Sequence, residues 1–410
     1  MTGVAPRLRV AEMGPLTGVR VIELAHVMAG PTCGLMLADL GADVVKVEKI
    51  PHGDDTRRMA PPAVGGEAAA YLMMNRNKRG IAVDFKREEG QAIGRRLISA
   101  ADVVIENFRK GTLERLGLGY DALRELNPGV IYCEVSGFGR TGPYAERGGF
   151  DLIAQGMSGL MSITGEAPGR PPVKCGAPVT DITAGILAAM GVLAAYVHRL
   201  KTGEGQRVDT SLFEAGIVQT YWQSAIALAT GQAPGPLGSA HPLTAPYQAF
   251  ETADGWITIG AANQANWLRL TEALEASPLR DDPRFATNDA RMANLPALVA
   301  ALTPLFKRRT TANWLERLEA AAVPAGPVLD VAEMLADPQT AAREMVVGVP
   351  HSRLGTVETL GAPVKFSATP ASVTRGAPLL GEHTREVLRE HGYADTDIDT
   401  LAASGVVIAR

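Results

Sequence analysis

The fold is decided by one stretch of the chain, residues 18–48, which reads GVRVIELAHVMAGPTCGLMLADLGADVVKVE. Its first part, 18–24, is short and β-branched, which is typical of a buried strand. An apolar helix is predicted over 30–40, because proline stands in its first turn and Gly41 stands just past its end. A second β-branched segment, 42–48, follows. Strand, helix and strand in this order predict a parallel pair joined by a crossover helix.

The same alternation continues along the first half of the chain. β-branched segments at 80–85, 102–106 and 130–135 predict three further strands. Apolar residues at helical spacing predict a helix over 88–101, and a long helix rich in Ala and Gly is predicted over 182–197. The alternation predicts an α/β fold with a mostly parallel sheet and helices on both faces.

The pattern changes in the second half. A brief strand at 206–210 leads into a predicted helix over 211–231. A loose stretch rich in Gly, Pro and Ala, 231–246, is interpreted as a linker. Residues 247–259 predict a hairpin with Asp-Gly at its turn, and helical segments follow over 267–322. We expect a second structural unit to begin at the hairpin.

Composition argues against several classes of protein. The chain has 410 residues, 46% hydrophobic and 20% charged, with a formal net charge of −4. No segment is basic enough to indicate a nucleic-acid surface, and the first residues lack the apolar core of a signal peptide. The helix at 182–197 is about a turn too short for a membrane span and is interpreted as buried. Cys33, Cys133 and Cys175 are too few and too scattered for a disulfide framework or a zinc site, so we expect a reducing, cytoplasmic setting without membrane attachment.

Residues 137–142 read GFGRTG, which fits the G-x-G-x-x-G pattern of dinucleotide-binding loops and follows a predicted strand. Such a loop needs a helix directly after its last glycine, because the helix N-terminus meets the pyrophosphate. Here Pro143 follows, and Gly148 and Gly149 prevent a regular helix soon after. We therefore interpret the segment as a flexible loop and reject a nicotinamide-dependent dehydrogenase.

Asp181 directly precedes the long apolar helix. One interpretation is a helix N-cap, whose carboxylate accepts a hydrogen bond from a free helix amide. The other is a nucleophile, because helix amides and the helix dipole favour the carboxylate over the acid, and only the carboxylate attacks a thioester. The same amides could stabilise an oxyanion. The residues alone leave both interpretations open.

His26 ends the first predicted strand at its carboxyl side, where ligands collect in open α/β sheets. A lone histidine there is structural or catalytic, and no triad partner, G-x-S-x-G motif, P-loop or metal-spaced cluster accompanies it. Basic residues also bracket two strand ends and form either a solvated face or a site for a phosphorylated ligand. They are Lys46, Lys49, Arg57, Arg58, Arg76, Lys78 and Arg79.

Six short segments carry a resemblance to a known family. They are 15–24, 26–31, 40–48, 75–79, 106–108 and 176–185. In this order they resemble the class III CoA-transferases, which include formyl-CoA transferase and are related to alpha-methylacyl-CoA racemase. A second set of segments is most similar to the succinate–hydroxymethylglutarate branch. That set comprises 53–57, 75–78, 158–161, 240–241 and 246–250.

The resemblance implies a large, doubly wound, Rossmann-like domain built from both ends of the chain, with a smaller α+β domain inserted between them. It also implies an interlocked homodimer. The boundaries predicted on this basis are 1–208 for the first part of the large CoA-binding domain, 209–246 for a helix and linker, 247–330 for the small domain, and 331–410 for a linker and the return to the large domain.

The resemblance also implies the chemistry. Asp181 matches the family's catalytic aspartate, which would attack an acyl-CoA to give a mixed anhydride and then an aspartyl-CoA thioester. An acyl-CoA and a carboxylic acid would be the substrates, with no tightly bound cofactor and no metal. Contacts to coenzyme A carry over to Val27, Ala29, Lys49, Val83, Asn107, Phe108, Thr112 and Arg115. The substrate pocket carries over to His26, Met28, Phe150, Asp151, Gly260, Asn263 and Gln264.

Several positions depart from relatives in this family. Lys49 replaces an arginine, so it would meet a phosphate as a point charge rather than bidentately. Met28 replaces the active-site glutamine of formyl-CoA transferase and argues against formyl or oxalate substrates. Phe150 replaces the acid–base histidine of the racemases and cannot move a proton, which argues against racemisation. The shielding loop at 260–264 carries alanines and an asparagine in place of glycines.

The branch resemblance implies succinyl-CoA as the donor and a dicarboxylate as the acceptor. The second carboxylate would need a cation, for which Arg57, Arg76 and Lys78 are the predicted candidates. Two other functions stay open. One is an isomerase that racemises its substrate or moves CoA between two carboxylates of one molecule. The other is a non-catalytic acyl-CoA-binding protein.

Overall fold

The computed structural model describes residues 14–410 and divides them into two compact units. The first unit contains residues 14–158, 176–219 and 338–410. The second contains 159–175 and 220–337. The domain boundaries at 208, 246 and 330 and the interlocked homodimer stay predictions.

The strands, in chain order, are β1 (Arg20–Glu23), β2 (Asp43–Glu48), β3 (Ala63–Val64), β4 (Glu67–Ala68), β5 (Arg79–Val83), β6 (Val103–Glu106), β7 (Ile131–Ser136), β8 (Arg207–Ser211), β9 (Tyr247–Glu251), β10 (Trp256–Gly260), β11 (Ala325–Pro327), β12 (Val346–His351), β13 (Gly355–Leu360) and β14 (Val407–Ile408). The helices are α1 (Ala29–Asp39), α2 (Ala69–Met74), α3 (Glu88–Ser99), α4 (Tyr120–Leu126), α5 (Asp151–Met157), α6 (Leu160–Ile163), α7 (Val179–Thr202), α8 (Leu212–Val218), α9 (Tyr221–Thr230), α10 (Gln264–Ala273), α11 (Ser277–Arg280), α12 (Asn288–Ala293), α13 (Leu295–Phe306), α14 (Thr311–Ala320), α15 (Val331–Ala336), α16 (Pro338–Ala342), α17 (Thr384–Glu390) and α18 (Asp395–Ala403). Short 3-10 helices cover Asp55–Arg58, Glu114–Leu116 and Pro283–Phe285.

A seven-stranded sheet forms the centre of the first unit, in the order β14-β5-β2-β1-β6-β7-β8. All neighbours are parallel except β14, which pairs antiparallel with β5. Successive residues of β1 enter different cores, because side chains alternate across a strand. Val21 packs among α1 and α7 residues, and Ile22 packs among α3 and α17 residues. Both faces are therefore covered, and the predicted α/β class is confirmed.

The strand order places a crevice at one point of this sheet. The chain leaves β1 toward β2 and β5 on one side and later returns toward β6, β7 and β8 on the other. The helices that follow β1 and β6, α1 and α4, therefore pack on opposite faces of the sheet. Such switch points, at the carboxyl ends of the strands, are where open α/β sheets bind ligands.

The helix α7 is longer than predicted, since it spans Val179–Thr202 rather than 182–197. By length and composition it could cross a membrane, although a core helix of a soluble protein passes the same test. The expectation that it is about a turn too short was therefore wrong. Its small residues face α1, and a Cβ placed on Gly185 would lie 2.6 Å from the Ala29 carbonyl oxygen. Only glycine allows this close approach of the two helices.

The second unit has its own core. The strands β11, β10 and β9 form an antiparallel sheet, and β9 and β10 confirm the predicted hairpin. Aromatic side chains from the helices fill the space against it. The predicted helix over 211–231 was wrong: α8 ends at Val218, and α9 begins at Tyr221. The chain passes from the first unit to the second between these two helices.

Candidate active site

The loop after β1 is the centre of the candidate site. Asn107 directly follows β6, and both the oxygen and the nitrogen of its side-chain amide form hydrogen bonds to this loop. The Asn107 Nδ2 donates to the His26 carbonyl oxygen at 2.7 Å, and the His26 backbone N–H donates to Asn107 Oδ1 at 3.0 Å. Because parallel strands end at the same edge, residues that are 81 apart in the chain meet here. Asn107, predicted to contact coenzyme A, thus has a structural role in the loop.

A second side chain holds the next residue of the loop. The Val27 backbone N–H lies 3.2 Å from each carboxylate oxygen of Asp54, which follows β2. Val27 has a φ of 68°, in the left-handed region that is unfavourable for a β-branched residue. Asp54 was not singled out for a role by the sequence, where it occurs only as part of the 53–57 resemblance.

Beneath the loop lies a buried group of opposite charges. The Lys46 Nζ lies 2.9 Å from Glu23, 2.8 Å from Asp54 and 2.9 Å from the Ala25 carbonyl oxygen. The Lys78 Nζ lies 2.8 Å from the other oxygen of Glu23. Burial by itself would lower the pKa of Lys46, but the charges of Glu23 and then Asp54 raise it. Burial by itself would raise the pKa of Asp54, but the charge of Lys46 and its hydrogen bonds lower it.

Asp181 is the third residue of α7 rather than its N-cap. The helix begins at Val179 after Pro178, so the predicted N-cap role was wrong. Burial, followed by repulsion from Asp151, raises the pKa of Asp181 to about 7. Burial and the charge of Asp151 thus oppose the preference for the carboxylate that was expected from the helix terminus.

Asp151, the first residue of α5, is fixed beside this start of α7. Its Oδ1 accepts hydrogen bonds from the Thr180 backbone N–H at 3.0 Å and the Thr180 hydroxyl at 2.7 Å. Its other oxygen accepts a bond from the Gln155 side-chain amide at 2.7 Å. The structure thus places a second carboxylate close enough to influence Asp181 electrostatically.

A cavity of about 350 Å³, the Asp181 cavity, contains Asp181 and the loop after β1. Nine of the predicted site residues line it, namely His26, Val27, Met28, Ala29, Asn107, Phe108, Thr112, Phe150 and Asp181. The lining that was not predicted includes four basic residues, Arg109, Lys110, Arg140 and Arg147.

A second cavity of about 270 Å³, the strand-edge cavity, extends over the carboxyl ends of β2 and β5. Lys49 and Val83 line it, and both cavities share His26, Phe108 and Thr112. The rings of His26 and Phe108 meet edge to face, with centroids 4.8 Å apart. Burial lowers the pKa of His26 and so favours its neutral form. The two adjoining cavities could hold the two ends of one long ligand.

The basic residues noted in the sequence have different roles. Lys49 lines the strand-edge cavity with its side chain 53% exposed, where Asp55 lies 2.9 Å from its ammonium group. The three cations predicted to meet a second substrate carboxylate are instead buried in ion pairs. Arg57 pairs with Glu48 at 2.7 Å, Arg76 with Asp39 at 2.6 Å, and Lys78 with Glu23 at 2.8 Å. That prediction was wrong, because none of the three lines the Asp181 cavity.

Arg140 has a structural function that sequence reasoning missed. Its guanidinium pairs with Glu106 and with Glu134, which lie on the neighbouring strands β6 and β7. It also donates to the Phe108 carbonyl oxygen at 3.0 Å. Arg140 belongs to the GFGRTG segment, so that loop braces the Phe108 side of the site instead of leading into a helix.

The other predicted site residues lie outside the two cavities. Arg115 donates a long hydrogen bond of 3.4 Å to Thr112. Gly260, Asn263 and Gln264 belong to the second unit. There Asn263 caps α10, and Gln264 accepts a hydrogen bond from Arg291 at 3.0 Å. Within residues 14–410, no group of three or more His, Cys, Asp or Glu side chains is arranged to hold a metal ion.

Comparison with known proteins assigns the chain to a family. The family model for CoA-transferase family III matches residues 16–384. The chain belongs to CoA-transferase family III. Its relatives include the succinate–glutarate CoA-transferase of Agrobacterium fabrum, which is 44% identical over 92% of this chain and 95% of the relative. The human succinyl-CoA:glutarate CoA-transferase is 37% identical over 98% of this chain and 92% of the human protein.

A solved structure with 42% sequence identity shows the same fold. The CAIB/BAIF family protein from Brucella suis superposes with a TM-score of 0.83 at 42% identity, covering 93% of this chain and all of that one. The resemblance recognised in the six sequence segments is thereby confirmed. This protein is a family III CoA-transferase acting on acyl-CoA substrates.

Proposed function

We propose that this enzyme transfers CoA from succinyl-CoA to a dicarboxylic acid through covalent intermediates on Asp181. The observation that carries the proposal is the position of Asp181 in a cavity that shares His26 and Phe108 with a second cavity at the strand ends. A CoA thioester is long and needs such a pair of sites, one for its nucleotide end and one for its acyl end.

The reaction begins when the Asp181 carboxylate attacks the thioester carbonyl. The carbon–sulfur bond breaks, which leaves a mixed anhydride and CoA thiolate. The thiolate then attacks the Asp181 carbonyl carbon, the anhydride carbon–oxygen bond breaks, and the donor leaves as a carboxylate. The acceptor carboxylate repeats both steps in reverse, so Asp181 returns unchanged and the thioester's free energy is conserved throughout.

The raised pKa of Asp181 fits a nucleophile. A carboxylate removed from water is more reactive than a solvated one, and a dry cavity also protects the anhydride from hydrolysis. At neutral pH a pKa of about 7 leaves roughly half of the group ionised and ready to attack. Asp151 contributes to this tuning because its charge disfavours a second carboxylate nearby.

The dicarboxylate preference is supported by relatives and by two arginines. The relatives include enzymes named for glutarate, citramalate and mesaconate, all dicarboxylates. Arg109 and Arg147 line the Asp181 cavity with exposed side chains, and neither forms a salt bridge to the residues that the structure describes. A guanidinium binds a carboxylate well, since it can donate two parallel hydrogen bonds. We therefore assign the distal carboxylate of the acceptor to this pair.

The test is to trap the covalent intermediate. The protein is mixed with succinyl-CoA without acceptor, treated with borohydride or hydroxylamine, and digested for mass spectrometry. The expected result is modification at Asp181, absent in Asp181→Asn and retained in Asp39→Asn, which alters a buried carboxylate that does not line this cavity. An unmodified Asp181 in an enzyme that still transfers CoA would refute the proposed mechanism.

Added glutarate then separates transfer from the open alternatives. A transferase forms glutaryl-CoA only when glutarate is present, and its kinetics are ping-pong. Product that forms from an acyl-CoA alone indicates intramolecular migration or racemisation. Binding of CoA without any exchange indicates a binding protein.

A further inference from the structure

We infer that Asp54 is a positioning residue, which prepares the acyl-CoA site by holding Val27 in its left-handed conformation. This inference rests on the proposed role of the Asp181 cavity. Asp54 lines the strand-edge cavity, and the residue that it holds lines the Asp181 cavity. The geometry therefore connects the buried charges below the sheet edge to the shape of both cavities.

The left-handed conformation of Val27 is unfavourable, and neighbouring side chains in the loop do not stabilise it. A left-handed backbone costs a residue with a side chain about 1–2 kcal/mol, and branching at Cβ makes Val27 especially unsuited to it. Met28, next in the chain, stands at the N-cap of α1 and offers no side-chain hydrogen bond to that helix. The conformation must consequently be held by contacts from elsewhere in the fold.

Asp54 supplies that contact, and its own position is fixed on three sides. Its Oδ1 accepts from the Thr56 backbone N–H at 2.9 Å and from the Thr56 hydroxyl at 2.8 Å. Its Oδ2 lies 2.8 Å from the Lys46 ammonium group. Its backbone N–H donates to Glu48 at 2.8 Å. Each carboxylate oxygen that faces the Val27 N–H is also bound to Thr56 or Lys46, and these contacts prevent the carboxylate from rotating away.

The charge of Asp54 is part of this function. An asparagine has one acceptor oxygen, so it can face either Thr56 or Lys46 but not both. Its amide group would then meet another donor, and the Val27 N–H would lose one of its two acceptors. The isosteric change Asp54→Asn therefore loosens the loop without removing any volume.

The experiment combines Asp54→Asn with Val27→Gly, because glycine adopts positive φ without the steric cost. Without the Asp54 contact, the loop can relax and avoid the cost of about 1–2 kcal/mol for the left-handed conformation at Val27. That free energy corresponds to an about 5- to 30-fold smaller fraction of molecules whose loop can bind CoA. The CoA affinity should fall by the same factor. Val27→Gly added to Asp54→Asn is expected to restore most of that loss. The readouts are the dissociation constant of CoA from calorimetry and the single-turnover rate of Asp181 labelling by succinyl-CoA.

Asp39→Asn is the matched control. Asp39 is also a buried carboxylate, which pairs with Arg76 at 2.6 Å and accepts from Asn77 at 2.9 Å, but it does not contact the loop. Val27→Gly should not improve CoA binding in that background. Equal effects of Val27→Gly in both backgrounds would overturn the inference, as would an Asp54→Asn protein that binds CoA like the wild type.

A substitute variant, Thr56→Val, and labelling of Asp181 in the wild type complete the test. If Asp54→Asn does not accumulate as folded protein, Thr56→Val replaces it, since that change removes only the hydroxyl that orients the carboxylate. A smaller loss of CoA affinity that glycine still rescues is expected, and an unrescued loss overturns the inference. If the wild type binds CoA but does not label at Asp181, the proposed function fails, and the affinity cycle still decides the role of Asp54.

Discussion

Replacing Asp151 with asparagine should make the enzyme active at lower pH. The pKa of Asp181 is raised to about 7, from an ordinary value near 4, first by burial and second by the charge of Asp151. The difference between these two pKa values corresponds to about 4 kcal/mol of preference for the neutral acid. Since burial is the larger cause, Asp151→Asn should lower the pKa of Asp181 by less than half of this difference.

The expected change in rate follows from the ionised fraction. In the wild type about a tenth of Asp181 is ionised at pH 6 and about nine tenths at pH 8. A pKa lowered by about one unit raises the fraction at pH 6 to about one half, which is a roughly five-fold gain relative to the rate at pH 8. Asparagine retains an oxygen for the two hydrogen bonds from Thr180, so the start of α7 should stay in place.

The assay is the pH profile of kcat/KM for CoA transfer, which reports ionisations of the free enzyme. Glu146→Gln is the control, because it removes a negative charge that lines the same cavity but is not among the causes of the raised pKa of Asp181. Its profile should match the wild type. An acid limb near pH 4 in the wild type, or a limb near pH 7 that Asp151→Asn leaves in place, would refute this account of Asp181.

Three other changes test the remaining parts of the site. The folded pKa of Asp181 lies above the unfolded one, so ionisation of this group opposes folding, and the free energy of unfolding should fall between about pH 4 and pH 7. Asp181→Asn should therefore be more stable than the wild type by up to about 4 kcal/mol at pH 8, but not at pH 4. Urea unfolding at the two pH values measures this difference. Gly185→Ala should separate α7 from α1 and cost about 1–3 kcal/mol, whereas Gly176→Ala, where nothing lies within 4 Å of an added Cβ, should be far milder in the same unfolding assay; equal effects would contradict the close contact. Arg109→Met combined with Arg147→Met should lower kcat/KM for glutarate at least about ten-fold more than for butyrate, and an equal loss for both acids would remove the arginine assignment.

Much of the sheet follows from local sequence pattern. The predicted strands at 42–48 and 80–85 correspond to β2 and β5, and the predicted helix at 30–40 corresponds to α1. These predictions were correct because β-branched runs and helix-end residues influence the backbone only within a few positions along the chain. The helix predicted over 211–231 failed for the complementary reason: nothing local shows that the chain passes to another unit at Thr220.

The candidate site was predictable in part, through family resemblance and through position at a strand end. His26 was expected at the carboxyl side of β1, and the structure places it in both cavities. Its contact with Asn107 depends on β6 lying next to β1, which is a property of the strand order. Arg57, expected to meet substrate, is buried against Glu48 because the fold brings a partner to it.

The sequence by itself determined the alternation of strands and helices, the family, and the presence of an aspartate at the start of a long helix. Only the tertiary structure decided how that aspartate behaves. Asp151 lies thirty residues away in the chain, yet together with burial it raises the pKa of Asp181 to about 7. Desolvation and charge repulsion depend on distance in space, whereas propensity and capping depend on distance along the chain.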